Sequence, residues 1–165
     1  DNVVDYTAFE QAITGSQAIE RRNKDIITLI DFTKPSTEER LYVLDIRHKK
    51  LLFSSLVSHG KNSGGNYATS FSNKVNSYKS SLGFFVTENT YQGKNGYSLG
   101  RLGRSFGCPA LPQSLAKPII NTIKNGTLLY IYANDKDYLS QSTILSTERS
   151  ISPNSIIALN NLIRE

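Results

Sequence analysis

The stretch that decides the reading is Gly100-Arg101-Leu102-Gly103-Arg104-Ser105-Phe106-Gly107-Cys108-Pro109-Ala110-Leu111, which holds the one cysteine in 165 residues. A thiol used for packing sits more often inside an apolar run. Here Arg101, Arg104, Ser105 and Gly107 precede Cys108, and a proline follows it. Small residues leave the backbone accessible, and the two guanidinium groups make the local field positive. A positive field favours the thiolate, which is the nucleophilic form. The expectation is therefore a cysteine nucleophile on a tight loop. Its own backbone N–H and that of Gly107 can serve a developing oxyanion, while Pro109 stiffens the exit.

Such a nucleophile needs a base, and the chain has two histidines, His48 and His59. His48 lies in the basic turn Arg47-His48-Lys49-Lys50, where nothing nearby is expected to orient it, so it reads as a solvated turn residue. His59 closes Val57-Ser58-His59-Gly60, where an apolar strand meets a glycine loop, a common place for functional side chains. It is the candidate base, and a satisfied structural histidine is the alternative.

Outward from this centre, the periodicities give short elements. Phe9, Ala12, Ile13, Ala18 and Ile19 mark a helix over Tyr6–Arg22, weakened or broken near Gly15-Ser16. Ile26–Phe32 is a β-branched strand. Lys34-Pro35-Ser36-Thr37 is a turn, and Arg40–Ile46 with Leu51–Ser58 forms a hairpin. His59–Ser81 is rich in Gly, Ser and Asn and reads as a long surface loop that cannot pack a core. Leu82–Thr87 is a strand, and Gly93, Asn95 and Gly96 make a turn within Tyr91–Tyr97. Leu115, Ile119, Ile120 and Ile123 form a helical stripe in which Pro118 should make a kink or the effective start, with Gly126 as the C′ cap. Thr127–Ala133 is an apolar strand, and Ser152-Pro153 opens a last helix. The sum is an α+β domain, β-rich, with mixed or antiparallel sheets and a few short helices. One domain is expected, with a helical extension over 1–24, a core over 25–134 and an extension with a helix over 135–165.

Composition bounds the function classes. Hydrophobic residues make up 38% and charged residues 20%, an ordinary globular balance. No apolar run is long enough to span a bilayer. The net charge of +5 fits an anionic partner or a solvated basic surface. The aromatics and cations of Tyr67–Lys94 share no strand face, so no nucleic-acid surface is expected. A single cysteine excludes a disulfide framework and a multi-cysteine zinc site. Dinucleotide, Walker, HExxH and calcium-loop patterns are missing, so neither metal nor cofactor is expected. Asp31, Asp45, Asp135 and Asp137 read as turn and cap residues. With no methionine, an N-terminal segment, such as a secretory signal, is expected to have been removed.

The motifs resemble the murein L,D-transpeptidase catalytic domain family (YkuD-like), in its Ser-x-Gly-Cys-Pro branch. The resemblance rests on Gly100–Leu111 and on Ser58-His59-Gly60-Lys61-Asn62-Ser63-Gly64. Phe71-Ser72-Asn73, Ser80-Ser81-Leu82-Gly83, Tyr97-Ser98-Leu99 and Ile123-Lys124-Asn125-Gly126 extend it. It implies a periplasmic or secreted envelope enzyme acting on peptidoglycan stem peptides. By that resemblance Cys108 attacks the third-residue carbonyl of a stem tetrapeptide and releases D-alanine. An acceptor amine then resolves the thioester, or water does in a carboxypeptidase. Gly107 and Cys108 would hold the oxyanion, Ser105 and Arg104 would shape the pocket, and a carbapenem adduct is expected at Cys108. A domain that binds the envelope without turnover is the alternative.

One departure matters. In the family, Tyr-Ser-Leu is followed by a segment with an Ile-His-Gly-Ala-like motif, whose histidine is the expected base. Here Leu99 runs into Gly100. The good match of both flanks leads to the expectation that the segment exists but is hidden at a break between Leu99 and Gly100. Otherwise His59 must serve, or catalysis fails.

Overall fold

The computed structural model describes residues 3–74, 76–88, 92–93, 96–97 and 109–146. Its frame is a five-stranded mixed sheet in the order β3-β2-β1-β7-β4, built from β1 (Ile26–Asp31), β2 (Leu41–Asp45), β3 (Lys50–Ser55), β4 (Gly83–Val86) and β7 (Leu128–Tyr132). β1 pairs parallel with β7 and antiparallel with β2, and the other pairings are antiparallel. β5 (Gln92–Gly93) and β6 (Gly96–Tyr97) form a separate two-stranded ribbon. This is the β-rich α+β architecture that the sequence suggests.

Strand alternation divides the core between the two faces. Ile27 and Leu29 of β1, Tyr42 and Leu44 of β2, and Leu128, Tyr130 and Tyr132 of β7 pack with Ala8, Phe9, Ala12 and Ile13. Those last four lie on α1 (Tyr6–Ala18), whose start is capped by Asp5 accepting from the Ala8 amide at 2.9 Å. On the other face, Ile26, Ile30, Leu41, Val43 and Ile131 pack with Ile119, Ile120 and Ile123 of α2 (Gln113–Ile123). β1 is buried along its whole length, Thr28 and Asp31 included.

The structure corrects four expectations. α1 runs through Gly15 without a break, because the missing side chain makes room for the Phe84 ring. A Cβ there would stand 2.0 Å from a Phe84 ring carbon. α2 begins at Gln113 and contains Pro118, so the proline does not mark its start. Asn125, at φ 66°, follows the Lys124 C-cap and takes the C′ position expected for Gly126. Finally, the segment after His59 is no mere surface loop. Ala68 and Leu82 join the core, and Ser63 and Ser80 are fully buried. The serines make this possible by satisfying the backbone. Ser80 Oγ accepts from the Gly60 amide, and Ser63 Oγ accepts from the Ser80 amide, both at 2.8 Å.

After β7, Asp135 caps α3 (Lys136–Gln141) by accepting from the Tyr138 amide at 2.9 Å, and α4 (Thr143–Ser146) follows. The helix expected from Ser152-Pro153 lies outside the described residues.

Candidate active site around His59

His59 sits just past the apolar segment that follows β3, beneath the C-terminal end of β1. It is 8% exposed. Its ring meets the Phe32 ring edge-on, with centroids 6.1 Å apart, and Phe32 stacks in turn on Phe71. Arg40, which enters β2, is fully buried and lies with its guanidinium carbon 4.8 Å from the Phe32 centroid. Its Nε and Nη2 donate to the Val57 carbonyl at 3.0 and 2.6 Å. Its Nη1 donates to the Lys34 carbonyl at 3.0 Å, and Nη2 lies 2.8 Å from His59 Nδ1.

That last contact sets the histidine tautomer. A guanidinium only donates, so Nδ1 must accept, and the proton of the neutral ring resides on Nε2. Nε2 faces the Gly64 carbonyl at 3.2 Å, a donor-to-acceptor match. Both ring nitrogens are thus engaged, and Nδ1 has no free lone pair. A base role for His59 would require the Nε2 proton to leave and the Gly64 contact to open.

Arg40 is unusual in its own right, since a buried guanidinium is seldom left without a carboxylate. None lies within ion-pair distance among the described residues. Burial pulls Arg40 down to about 10, with the more distant charge of Asp31 opposing. Asp31 is also buried. Its Oδ1 accepts from the amide and hydroxyl of Thr33 at 2.9 and 2.6 Å, while its Oδ2 has no partner among the described residues. Burial raises Asp31 above the ordinary carboxylate value, and the Thr33 bonds only partly offset this. The turn role expected of Asp31 is present, with this strained electrostatic setting added. In the sequence Arg40 reads as the first residue of a strand, next to Glu38 and Glu39. Nothing in that local pattern marks it as buried.

The neighbour of His59 holds the exit of the cysteine loop. The Ser58 amide donates to the Ala110 carbonyl at 2.9 Å, and the Ala110 amide donates to Ser58 Oγ at 3.2 Å. Ala110 and Leu111 are buried. Cys108, Gly107, Ser105 and Arg104 themselves lie outside the described residues, as do Leu99 and Gly100. His48 is an exposed turn residue, yet it is not without an orienting group: Asp45 Oδ2 lies 2.7 Å from its Nδ1. The expectation that nothing orients it missed the i, i+3 spacing of that pair. Among the described residues no cluster of His, Cys, Asp or Glu could hold a metal ion, and no helix is long and apolar enough to cross a membrane.

Comparison with curated proteins and with solved structures gave no match. A family model described as the L,D-transpeptidase catalytic domain matches residues 1–100 and 98–132. The two matched stretches meet at Leu99–Gly100, where the sequence is continuous. The break expected there lies outside the described residues. Matched over most of its length, the chain belongs to the L,D-transpeptidase catalytic domain family, and peptidoglycan is the substrate that membership implies.

Proposed function

We propose that this chain performs acyl transfer on peptidoglycan stem tetrapeptides with Cys108 as nucleophile, as a member of the Ser-x-Gly-Cys-Pro branch. The Cys108 thiolate attacks the third-residue carbonyl carbon, and the Gly107 and Cys108 amides hold the resulting oxyanion. Collapse breaks the C–N bond, a proton from water goes to the departing nitrogen, and D-alanine leaves a thioester behind. An acceptor amine attacks that thioester, the thiolate departs, and a new amide crosslink forms. Arg104 pairs with a substrate carboxylate, and Ser105 shapes the pocket. Residues 25–134 form the catalytic core, and the setting is periplasmic or secreted.

The observation that carries this reading is the Gly100–Leu111 motif within a family member, with its exit fastened to Ser58 by two hydrogen bonds. Ala110, the residue that Ser58 holds, follows Cys108 by two positions in the sequence, which supports pairing this motif with the strand end that carries His59. In this reading thiolate formation rests on the positive charge of Arg101 and Arg104. His59, with Nδ1 taken by Arg40, braces the strand end.

A second reading has a specific observation behind it. Expulsion of an amine needs a proton donor, no Ile-His-Gly-Ala-like motif follows Tyr97-Ser98-Leu99 in the sequence, and both His59 nitrogens are engaged. This favours a peptidoglycan-binding domain that does not turn over. Intact-mass measurement after exposure to a carbapenem separates the two, because opening a strained ring demands less of the leaving group. An adduct that disappears in Cys108→Ser supports the nucleophile, and an unmodified wild-type protein supports the binder. Products from tetrapeptide stems with and without an acceptor amine then separate transfer from carboxypeptidase hydrolysis.

A further inference from the structure

The charges of this chain are segregated along it. Between Ile46 and Asn134 there are eleven Lys and Arg and one acidic residue, Glu88. Residues 1–45 carry nine acidic and five basic residues. Among the described residues the ion pairs Lys24–Glu20, Arg47–Asp25 and His48–Asp45 all lie before residue 49.

Within the basic part, the fold gathers Lys61, Lys74 and Lys79 on one segment that begins just past His59. The Asn62 amide donates to the Tyr78 carbonyl at 3.0 Å, and Asn62 Nδ2 donates to the Ser77 carbonyl at 3.0 Å. The Ser77 amide donates to the Lys74 carbonyl at 3.3 Å, and Gly60 packs against the backbone of Tyr78 to Ser80. Lys61 Nζ rests 4.1 Å from the Tyr78 ring centroid. Lys61 and Lys74 are exposed and Lys79 is half-buried. Among the described residues no carboxylate forms an ion pair with Lys74 or Lys79.

We propose that this lysine patch, Lys61, Lys74 and Lys79, is an electrostatic docking surface for the free carboxylates of peptidoglycan stem peptides. It concentrates the chain on the wall polymer and selects stems with free over amidated carboxylates. The proposal rests on the family's peptidoglycan substrate and not on chemistry at Cys108. The composition of the patch fits this partner. All its cations are lysines, compact point charges without the fork that favours bidentate capture of a single anion. Ammonium groups on a serine-braced surface suit many singly charged groups repeated along a polymer. With no carboxylate paired to Lys74 or Lys79 among the described residues, their field acts at the distances over which salt has not yet screened it.

The test uses the Cys108→Ser protein, so that acylation plays no part, and insoluble peptidoglycan freed of phosphate polymers. The concentration for half-maximal pelleting should rise about tenfold when salt goes from about 50 mM to about 0.5 M. The triple variant Lys61→Gln/Lys74→Gln/Lys79→Gln should lose a similar factor at low salt, as should wild-type binding to peptidoglycan with amidated stem carboxylates. The Lys→Arg triple variant should bind within about twofold of the parent, because charge is retained. Lys74→Gln/Lys79→Gln leaves the Lys61–Tyr78 contact in place and should show an intermediate loss. Salt-independent pelleting, full binding by the glutamine triple, equal binding to amidated wall, or binding that needs phosphate polymers would each overturn the proposal. If pelleting follows the lysines but no carbapenem adduct forms on the wild type, only the nucleophile reading fails. An adduct with lysine-independent pelleting sinks only the docking surface.

Discussion

Replacing Arg40 with methionine isolates what the buried fork contributes. Methionine keeps the apolar stem and removes every donor. The Val57 carbonyl, the Lys34 carbonyl and His59 Nδ1 then lose the donors they have now. A buried acceptor stripped of its donor costs about 1–3 kcal/mol, so three amount to roughly 3–9 kcal/mol. Against this, a charge no longer has to be held out of water, which returns several kcal/mol. The expected net loss is about 2–4 kcal/mol, within the range seen when a buried polar network is broken. Urea unfolding at neutral pH measures it. The Arg40 value of about 10 lies below its ordinary 12.5. Between about pH 5 and 9 the group is therefore charged both folded and unfolded, and adds no pH slope there. A double-mutant cycle with His59→Phe should show coupling of about 0.5–3 kcal/mol, as for residues sharing one network. The carbapenem acylation rate at Cys108 should also fall, because Val57 and His59 flank the residue that grips Ala110. An Arg40→Met protein within about 0.5 kcal/mol of wild type, a value typical of neutral surface changes, would refute the reasoning, as would additivity with His59→Phe.

Two further outcomes follow from the packing and the charges. Gly15→Ala should destabilise by about 1–3 kcal/mol through overpacking against Phe84. In a Phe84→Ala background the same change should become stabilising by up to about 1 kcal/mol, the helix preference of alanine over glycine; thermal or urea midpoints of the four proteins decide it, and an unchanged sign would show that Phe84 is not the obstacle. Asp31 has a folded value raised by burial, so its protonation favours the fold: the stability it withholds at neutral pH returns as pH falls through that raised value toward 3.8. Asp31→Asn, which can still accept from Thr33 through Oδ1, should therefore gain on wild type at neutral pH and lose that advantage near about pH 4. Urea midpoints that differ equally at both pH values would contradict this.

The sequence by itself determined the strands, the fold class and the family. Ile26–Phe32 and Thr127–Ala133 are β-branched and aromatic runs short enough to be strands wherever they fall, and the motif at Cys108 is a local string of residues. These are properties of neighbours along the chain, so they survive without coordinates. Tertiary structure decided what the polar residues do. Arg40 is written beside two glutamates and looks solvated, yet the β2 register buries it against Phe32 and turns its donors on Val57, Lys34 and His59. Gly15 reads as a helix breaker because the ring that needs its empty space comes from residue 84. The serine-rich segment after His59 reads as surface because local composition cannot reveal that Ser63 Oγ accepts from the Ser80 amide, 17 residues away, and Ser80 Oγ from the Gly60 amide, 20 residues away. His59 passed as a candidate base for the same reason. A histidine's lone pair is free or taken according to what the fold sets beside it, and here that neighbour lies 19 residues away.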